Sequence, residues 1–459
     1  MLASGAAIGA RAATTAEANW PQWRGPLQNG VAPSASPPTS WSETSNVKWK
    51  VKIPGEGSAT PIIWGDRVFV QTAIATGKKV EAPAEPAAQP PPGPPPGQGG
   101  QPPGGPGGKK GPGGRGGFPG GAKPTETFQF VVQCLDRQTG KTLWQQVARE
   151  EVPHEGHHPS DGTFASPSGL TDGQHYFAHF GSHGLYCFDF EGKLEWQQDL
   201  GKMRIAMSFG EGSSPAIYQD TLIVNWDNED GSFICALDKR SGKTLWKKSR
   251  EERTSWATPL VVDQGGKAQV ITAATGKVRS YAVATGELVW ECAGLTRNVI
   301  PSPIADGGML YCTSGYQGSS LLAIRLDRTG DLSGSDAIAW SYKKNTPYVP
   351  SPLLYENRLY FFAVNKGELS GLDPKTGEVF LDAVPIPDLS GVYASPVGAG
   401  GRIYLVGRNG VTVVVKPSAK LEVLASNRLN ERFDASPAAA GKQLFLRGKE
   451  LLYCLEQNP

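Results

Sequence analysis

A tripeptide made of a small residue, then Ser or Thr, then Pro recurs eight times along this 459-residue chain. The prolines of the eight copies are Pro61, Pro167, Pro215, Pro259, Pro303, Pro352, Pro396 and Pro437. After the first interval, consecutive copies lie 41 to 49 residues apart, and the first, longer interval contains a Pro- and Gly-rich insert. A fixed period of this length is typical of repeat architectures, in which each unit buries its core against its neighbours.

A second motif, a turn of the form D-x-x-[TS]-G-x-x-x-W, keeps phase with the first. Its copies end at Trp144, Trp196, Trp246, Trp290, Trp340 and, with an aromatic replacement, Phe380. Alternating apolar runs such as TLIVNW and RLYFFAV lie between the two motifs and predict strands. Four short strands in each of eight units predict an all-β fold, an eight-bladed β-propeller with four-stranded blades. We expect the tryptophans to dock between neighbouring blades as buried anchors.

The two ends of the chain complement each other. The last unit ends at LYCLEQNP without a fourth strand that carries Trp, whereas a strand-like segment, VKWKV around Trp49, precedes the first unit. The sequence therefore predicts that this N-terminal strand completes the last blade. Such pairing closes the ring and removes an exposed sheet edge.

Composition divides the chain into three parts. The composition of residues 1–19 predicts a signal-like or disordered N-terminal arm. The repeats in residues 20–459 predict a single propeller domain. Residues 82–124 predict a disordered Pro/Gly-rich insert between the second and third strands of blade one. This insert, expected on the same face as the Ser-Pro motifs, is either a tolerated loop expansion or a tether for a partner.

Charge and cysteine usage exclude some classes of function. The formal net charge of +2 gives no case for nucleic-acid binding, and no apolar run is long enough to predict a transmembrane segment. The six cysteines form no C-x-x-C pair and fall mostly in strand-like runs, so we expect small buried side chains. A disulfide between Cys292 and Cys312 stays open, because spacing alone does not decide pairing.

The segments ALDKRSGKTLW, WPQWRGPLQNGV and FGSHGLYCFDFEGKLEW resemble the PQQ-like, or quinoprotein-type, β-propeller family. The resemblance runs from Trp20 onward, apart from the insert, and it implies the fold far more firmly than the function. Relatives of this architecture include PQQ-dependent alcohol dehydrogenases and BamB-type scaffolds. The dehydrogenases resemble one another in a Cys-Cys pair and in an Asp base beside Ca²⁺. No Cys-Cys pair occurs here, and no motif ties Asp227 or Glu211 to that role, so PQQ with calcium stays an alternative only.

The residues that precede each Ser-Pro motif should surround one mouth of the central channel. Aromatic rings and arginines around one funnel would suit a planar or anionic ligand, through stacking and paired hydrogen bonds. The alternative is that the aromatic rings pack blade against blade and that the arginines pair with nearby carboxylates. The candidate ligand-binding residues are Phe164, Arg204, Arg253, Trp256, Arg297, Tyr393, Arg432 and Asp434.

All six histidines of the chain lie between His154 and His183. A metal site would require the connection into blade two to meet the turn after that blade's second strand. The candidate ligands are His157, His158, His179 and His183. The alternative is a set of separate, packed or solvent-facing imidazoles.

The sequence shows no G-x-S-x-G, H-E-x-x-H or P-loop motif that would indicate a particular chemistry. We therefore expect a non-catalytic binding or scaffold propeller of the bacterial envelope, periplasmic or extracellular. It would be a monomer whose channel face meets a protein partner or a small ligand. A quinoprotein oxidoreductase is the main alternative, and a metal-dependent enzyme using the histidines is another.

Overall fold

The computed structural model describes residues 16–79 and 120–458, and strands dominate these residues. Two strands, β1 (Val31–Ala32) and β2 (Val47–Lys52), precede the first blade. Single 3-10 turns span Gly181–His183 and Ala206–Ser208. Residues 1–15 of the predicted arm and 82–119 of the predicted insert lie outside the described residues.

The first four blades follow in chain order. Blade one contains β3 (Ile62–Trp64), β4 (Arg67–Lys79), β5 (Glu126–Asp136) and β6 (Thr142–Glu151). Blade two contains β7 (Leu170–Thr171), β8 (His175–His179), β9 (Leu185–Asp189) and β10 (Leu194–Gln198). Blade three contains β11 (Ala216–Tyr218), β12 (Thr221–Trp226), β13 (Ser232–Asp238) and β14 (Thr244–Arg250). Blade four contains β15 (Leu260–Gln264), β16 (Lys267–Ala273), β17 (Lys277–Ala282) and β18 (Leu288–Ala293).

The last four blades repeat the same order. Blade five contains β19 (Ile304–Asp306), β20 (Met309–Ser314), β21 (Ser320–Arg325) and β23 (Ile338–Tyr342), while β22 (Gly330–Asp331) joins the outer edge of blade four. Blade six contains β24 (Leu353–Tyr355), β25 (Arg358–Phe362), β26 (Glu368–Leu372) and β27 (Val379–Pro385). Blade seven contains β28 (Val397–Ala399), β29 (Arg402–Val406), β30 (Val411–Val415) and β31 (Val423–Arg428). Blade eight contributes β32 (Ala438–Ala440), β33 (Gln443–Arg447) and β34 (Leu451–Glu456).

The eight sheets confirm the predicted eight-bladed propeller. Consecutive strands of each blade pair antiparallel, and the first strand of each blade lies at the inner edge of its sheet. Blade eight has the order β2-β34-β33-β32, with Trp49 opposite Cys454, so the N-terminal strand closes the ring as predicted. The short strand β1 pairs parallel with β28 at the inner edge of blade seven, which the sequence did not predict.

The core lies between the blades. One apolar cluster, for example, joins Phe69 and Phe130 of blade one to Tyr176 and Phe188 of blade two. Each repeat therefore shields its apolar faces only by stacking on its neighbours, which is the physical basis of the period. All six cysteines are buried and unpaired, as small packed residues in these cores.

The fourth-strand tryptophans connect neighbouring blades. The Nε1–H of Trp196 donates to the carbonyl of Lys239 at 2.9 Å, and the ring lies on Gly242 in the turn of the next blade. At Gly242, φ is +69° and an added Cβ would lie 2.6 Å from the indole ring of Trp196. Both the backbone conformation and the lack of space therefore favour glycine at this position of the D-x-x-[TS]-G motif. Four further tryptophans make the same contact with the next blade, namely Trp49, Trp144, Trp246 and Trp340. Trp290, covered by β22, instead bonds Gln269 of its own blade.

Candidate functional site

A ring of eight hydroxyl groups surrounds the central channel. The backbone N–H of each ring residue donates to the hydroxyl oxygen of the next blade's ring residue at 2.9 to 3.1 Å, for seven of the eight steps. The ring consists of Thr60, Ser168, Ser214, Thr258, Ser302, Ser351, Ser395 and Ser436. At the closing step, the hydroxyl of Thr60 donates to the carbonyl of Ser436 at 3.1 Å. The Ser or Thr of the repeated tripeptide therefore joins the inner ends of the blades.

Blade two departs from the register that the tripeptide predicts. Its ring hydroxyl is Ser168, which follows Pro167, whereas Ser166 of the tripeptide itself bonds Thr163 in its own loop. In blade two, the residue that joins the hydroxyl ring therefore lies two positions after the Ser of the tripeptide. This shift moves Phe164 away from the position that its counterparts hold in the other blades.

The channel is closed at one end by residues 19–32, for which the sequence predicted no position in the fold. Trp20 pairs with Ile63 of blade one, and the N–H of Thr171 in blade two donates to the carbonyl of Pro21. The Nε1–H of Trp23 donates to the ring hydroxyl of Ser302 at 3.1 Å. Because this segment reaches strands on opposite sides of the ring, it forms a floor across the channel.

Arg24 holds the floor segment against two blades through hydrogen bonds. Its guanidinium donates to the carbonyls of Pro396, Pro352 and Asn29 at 2.8, 2.7 and 3.0 Å, and it is only 1% exposed. Burial lowers the pKa of Arg24 to about 9. The three carbonyl oxygens compensate part of the cost of burying this charge.

The floor turns the channel into a cup of about 640 Å³ that opens on the face where the connections enter each inner strand. The position two residues before each ring hydroxyl contributes to its wall in every blade. These eight wall residues are Ser58, Ser166, Gly212, Trp256, Ile300, Val349, Tyr393 and Asp434. The volume is within the range of about 300 to 1,000 Å³ that is usual for small-molecule sites.

Six aromatic rings line the cup. They are Trp23, Phe209, Trp256, Tyr316, Tyr348 and Tyr393, all half-buried. Tyr316 and Tyr348 stack with their centroids 5.2 Å apart, and the Nε1–H of Trp256 donates to the carbonyl of Gly210 at 2.7 Å. Because neighbouring groups hold these rings, the aromatic faces are preorganised for a planar or apolar ligand.

Two carboxylates on one side of the wall, Asp161 and Asp434, pair with an arginine outside the lining. Arg408 lies 2.7 Å from Asp161 and 2.5 Å from Asp434, and its guanidinium carbon is 3.9 Å from the ring centroid of Tyr393. Burial opposes ionisation of Asp161, but hydrogen bonds from Arg408 and Tyr393 outweigh it and hold the pKa of Asp161 below its usual value. At Asp434, burial dominates and raises the pKa to about 6, despite Arg408.

Three of the predicted ligand-binding residues, Trp256, Tyr393 and Asp434, line the cup. Arg432 lies at its rim and pairs with Asp434 at 3.0 Å. Among the described residues no arginine lines the cup itself, so the arginines predicted around the mouth do not form its wall.

The remaining predicted residues lie elsewhere. Arg204 is exposed and paired with Asp230, and Arg253 and Arg297 are exposed on the connections between blades. Phe164 lies beside the histidines. The sequence did not predict the lining residues Tyr316 and Tyr348, although the TPYVPSP segment places Tyr348 directly beside a predicted wall position. It also did not predict Arg408, which pairs with Asp161 and Asp434 from outside the lining.

The candidate metal ligands do not converge on one point. His183 Nδ1 lies 2.6 Å from a carboxylate oxygen of Glu151, while the ring of His158 packs against Phe209 and that of His157 against Phe164. His179 is buried, and burial lowers its pKa to about 4. Within residues 16–79 and 120–458, no group of three His, Cys, Asp or Glu side chains is arranged to hold a metal ion.

The two loops that were expected to meet around the histidines do come together, with different partners. The ring of His183 lies 5.9 Å from that of His154 rather than beside His157 or His158. They share a cavity of about 20 Å³ with Glu155 and Glu211, room for no more than one water. Near this cavity the end of the predicted insert is ordered, since the N–H of Gly121 donates to the carbonyl of Met207 at 3.1 Å.

The fold and the cup define a class of protein, an eight-bladed β-propeller of the PQQ-like type with a blind central cavity. A family model described as "Outer membrane protein assembly factor BamB" matches residues 129–293 and 230–458. These matches cover most of the chain, and the chain belongs to this family. A comparison with curated proteins finds no match.

Solved structures share this fold at low sequence identity. BamB from Moraxella catarrhalis is 16% identical with a TM-score of 0.51, over 71% of this chain and 91% of the other. The computationally designed Ika8 protein is 12% identical with a TM-score of 0.50, over 72% and 92%. The quinohemoprotein alcohol dehydrogenase from Comamonas testosteroni is 10% identical with a TM-score of 0.43, over 96% and 81%.

Proposed function

We propose that this protein is a non-catalytic binding propeller of the bacterial envelope, and that the cup is its binding site. The blind cup carries the proposal, because six fixed aromatic rings around about 640 Å³ form a concave, mostly apolar site with a few polar groups. The cup would take a small ligand with a planar or apolar part, or an aromatic side chain of a protein partner. Membership of the family described as outer membrane protein assembly factor BamB supports an envelope location and a scaffold role.

The lining of the cup gives less support to a quinoprotein dehydrogenase. No cysteine lines the cup among the described residues, and the carboxylates there already have partners or are buried singly. Asp227, one candidate for the catalytic base, is buried in an ion pair with Arg250 at 2.9 Å and accepts a hydrogen bond from Ser255. The residues present therefore do not fit a quinone held beside a calcium ion.

No helix among the described residues has the length and hydrophobicity to cross a bilayer. We propose that an envelope partner docks on a surface of the described propeller. The open face of the cup, with its rim of exposed connections, offers such a surface, because loops vary freely on a rigid ring of blades.

The proposal predicts that Tyr348→Ala weakens binding through the cup about fivefold or more, since aromatic stacking contributes about 1 kcal/mol per ring in addition to the area that the ring buries. Tyr218→Ala is the matched control, because Tyr218 lies at the other end of inner strand β11 and bonds Asp263 outside the cup. The wild-type protein and both variants would be compared by thermal shift against a small-ligand panel and by cross-linking in envelope extract.

Binding that survives in Tyr348→Ala would place the interaction outside the cup. PQQ and Ca²⁺ form a separate arm of the panel, with dye reduction in the presence of alcohols as its readout. Stoichiometric PQQ with dye reduction would replace the binding-protein proposal by the dehydrogenase.

A further inference from the structure

A second, smaller cavity of about 150 Å³ opens at the rim of the cup, where blade eight meets blade one. It shares part of its lining with the cup through Ser58, Asp161, Gly162 and Asp434. The remaining lining includes three cationic side chains, Arg432, Arg447 and Lys449. We call this cavity the side pocket.

Arg447, at the end of β33, is the unusual member of this lining. Its residue is 2% exposed, and its guanidinium makes one hydrogen bond, from a terminal nitrogen to the backbone carbonyl of Gln71. Its Nε has no partner, and no carboxylate lies within ion-pair distance among the described residues. Burial lowers the pKa of Arg447 to about 10, still well above neutrality, so the buried group carries its full charge at pH 7.

The other two nearly buried arginines show what such a charge normally receives. Arg250 pairs with Asp227 through both its Nε and a terminal nitrogen, and it also bonds Thr272 and Tyr281. Arg24 donates to three carbonyl oxygens. An isolated buried charge is costly unless paired and hydrogen-bonded, and Arg447 with one carbonyl is far from that condition.

The other terminal nitrogen of Arg447 faces backbone rather than a counter-charge. A Cβ added to Gly57 would lie 2.6 Å from this nitrogen, so glycine at position 57 leaves room at the guanidinium. Three carboxylates line the pocket, and other cations already engage each of them. Asp161 and Asp434 both contact Arg408 and Arg432, and Glu56 lies 3.8 Å from Lys449. Arg447 is therefore the uncompensated positive charge of the side pocket.

We propose that the side pocket binds an oxyanion, a carboxylate or phosphate group of a small ligand, with Arg447 as its main partner. A planar, fork-shaped guanidinium suits two oxygens of one such group. The inference deepens the proposed function, since a ligand whose apolar part occupies the cup could extend its anionic group into the side pocket. The two sites share part of one wall, but Arg447 lines only the side pocket and Tyr348 lines only the cup, so substitutions of these two residues test the sites separately.

The probes are inorganic phosphate and acetate, each compared with chloride at equal ionic strength and pH 7, with thermal unfolding of the full chain as the readout. We expect a saturable rise of the midpoint temperature with at least one oxyanion. Arg447→Met keeps the volume and removes the charge, and it should lose this rise while unfolding cooperatively, because removing an unpaired buried charge is often not destabilising. Arg325→Gln, at the exposed end of β21, is the control and should keep the rise.

The outcomes separate the possible results. A response to phosphate alone identifies a phosphate-type group, a response to acetate alone a carboxylate, and a response to both a general oxyanion site. No response beyond chloride, or a rise that persists in Arg447→Met, would overturn the proposal. If Arg447→Met does not fold, Gly57→Ala, which places a methyl group against the guanidinium, provides the second test. Tyr348→Ala should keep the oxyanion response, so failure of the cup proposal and failure of this one remain distinguishable.

Discussion

At the scale of single residues, Glu211 shows how burial sets the charge of the cup. Its carboxylate accepts the N–H of Ser182 at 2.6 Å, yet it faces both the cup and the small histidine cavity without a cation. Burial, with a smaller contribution from the charge of Glu155, raises the pKa of Glu211 to about 7 despite the hydrogen bonds from Ser182. A carboxyl in such a position prefers its neutral form until the solution is close to neutral.

This raised pKa predicts a pH-dependent stability. The folded protein holds the Glu211 proton up to about pH 7, whereas the unfolded chain releases it near 4.5, so the folded state binds more protons between these values. The free energy of unfolding should therefore fall as the pH rises through this window, by up to about 3 kcal/mol. Glu211→Gln, which is neutral at every pH, should remove this component.

Urea unfolding at pH 5 and pH 8 measures the effect, and the difference between the wild-type and Glu211→Gln profiles isolates Glu211. The exposed Glu287→Gln is the matched control and should reproduce the wild-type profile. Parallel profiles for wild type and Glu211→Gln would show that Glu211 is ionised in the folded protein throughout.

At the scale of secondary-structure elements, the hydroxyl ring and the tryptophan contacts hold each blade at both edges. The ring residues accept a backbone N–H at the inner strand, and the tryptophans donate to a backbone carbonyl at the outer strand. The proline after most ring residues has no N–H, so this position leaves no donor without a partner at the channel. The two sequence motifs are therefore the two inter-blade contacts.

Removing one ring hydroxyl should destabilise the propeller moderately. Ser351→Ala would leave the N–H of Ser302 without its acceptor, and a buried donor without a partner costs about 1–3 kcal/mol. Ser351→Thr keeps the oxygen and should stay within about 0.5 kcal/mol of wild type, since Thr258 already holds an equivalent ring position. Urea denaturation compares the three proteins, and equal stability of Ser351→Ala and wild type would contradict a stabilising role for the ring.

At the scale of the whole molecule, one junction differs from the seven others. Trp49 of β2 makes the usual contact with the next blade, bonding the carbonyl of Arg137 at 2.9 Å and packing on Gly140. It does so at the seam where the two ends of the ring meet. Every other junction joins blades that follow each other directly in the chain.

This seam predicts unequal effects for two otherwise matched substitutions. Trp49→Ala and Trp144→Ala each remove one inter-blade contact and should each cost about 3–5 kcal/mol at most. Loss of Trp49 should also release the ring, speeding hydrogen exchange in residues 47–52 and 451–456. Trp144→Ala should affect mainly residues 142–151, where the chain itself still connects the blades. Unchanged exchange at the seam in Trp49→Ala would show that β2 pairing alone closes the ring.

The repeat period of the sequence predicted most of the fold, because every blade has the same environment. The alternation of strands, the Gly-Trp turns and the missing last strand all reflect local chemistry repeated eight times, so they predicted the blades and the closure around Trp49. The wall of the cup followed in part, since seven of the eight residues three positions before each proline do line it. The prediction failed for Phe164 in blade two, because Ser168 rather than Ser166 joins the hydroxyl ring there.

The sequence by itself determined the eight blades, their two inter-blade contacts and the strand that closes the ring, because each depends on a local pattern that recurs. Only the tertiary structure decided the floor formed by Trp23 and Arg24, the depth of the cup and the unpaired charge of Arg447. These features depend on single contacts between distant parts of the chain, such as Arg24 with Pro352 and Pro396. A contact that occurs once leaves no period in the sequence. Only the folded structure, in which the closed ring brings distant residues together, shows such a contact.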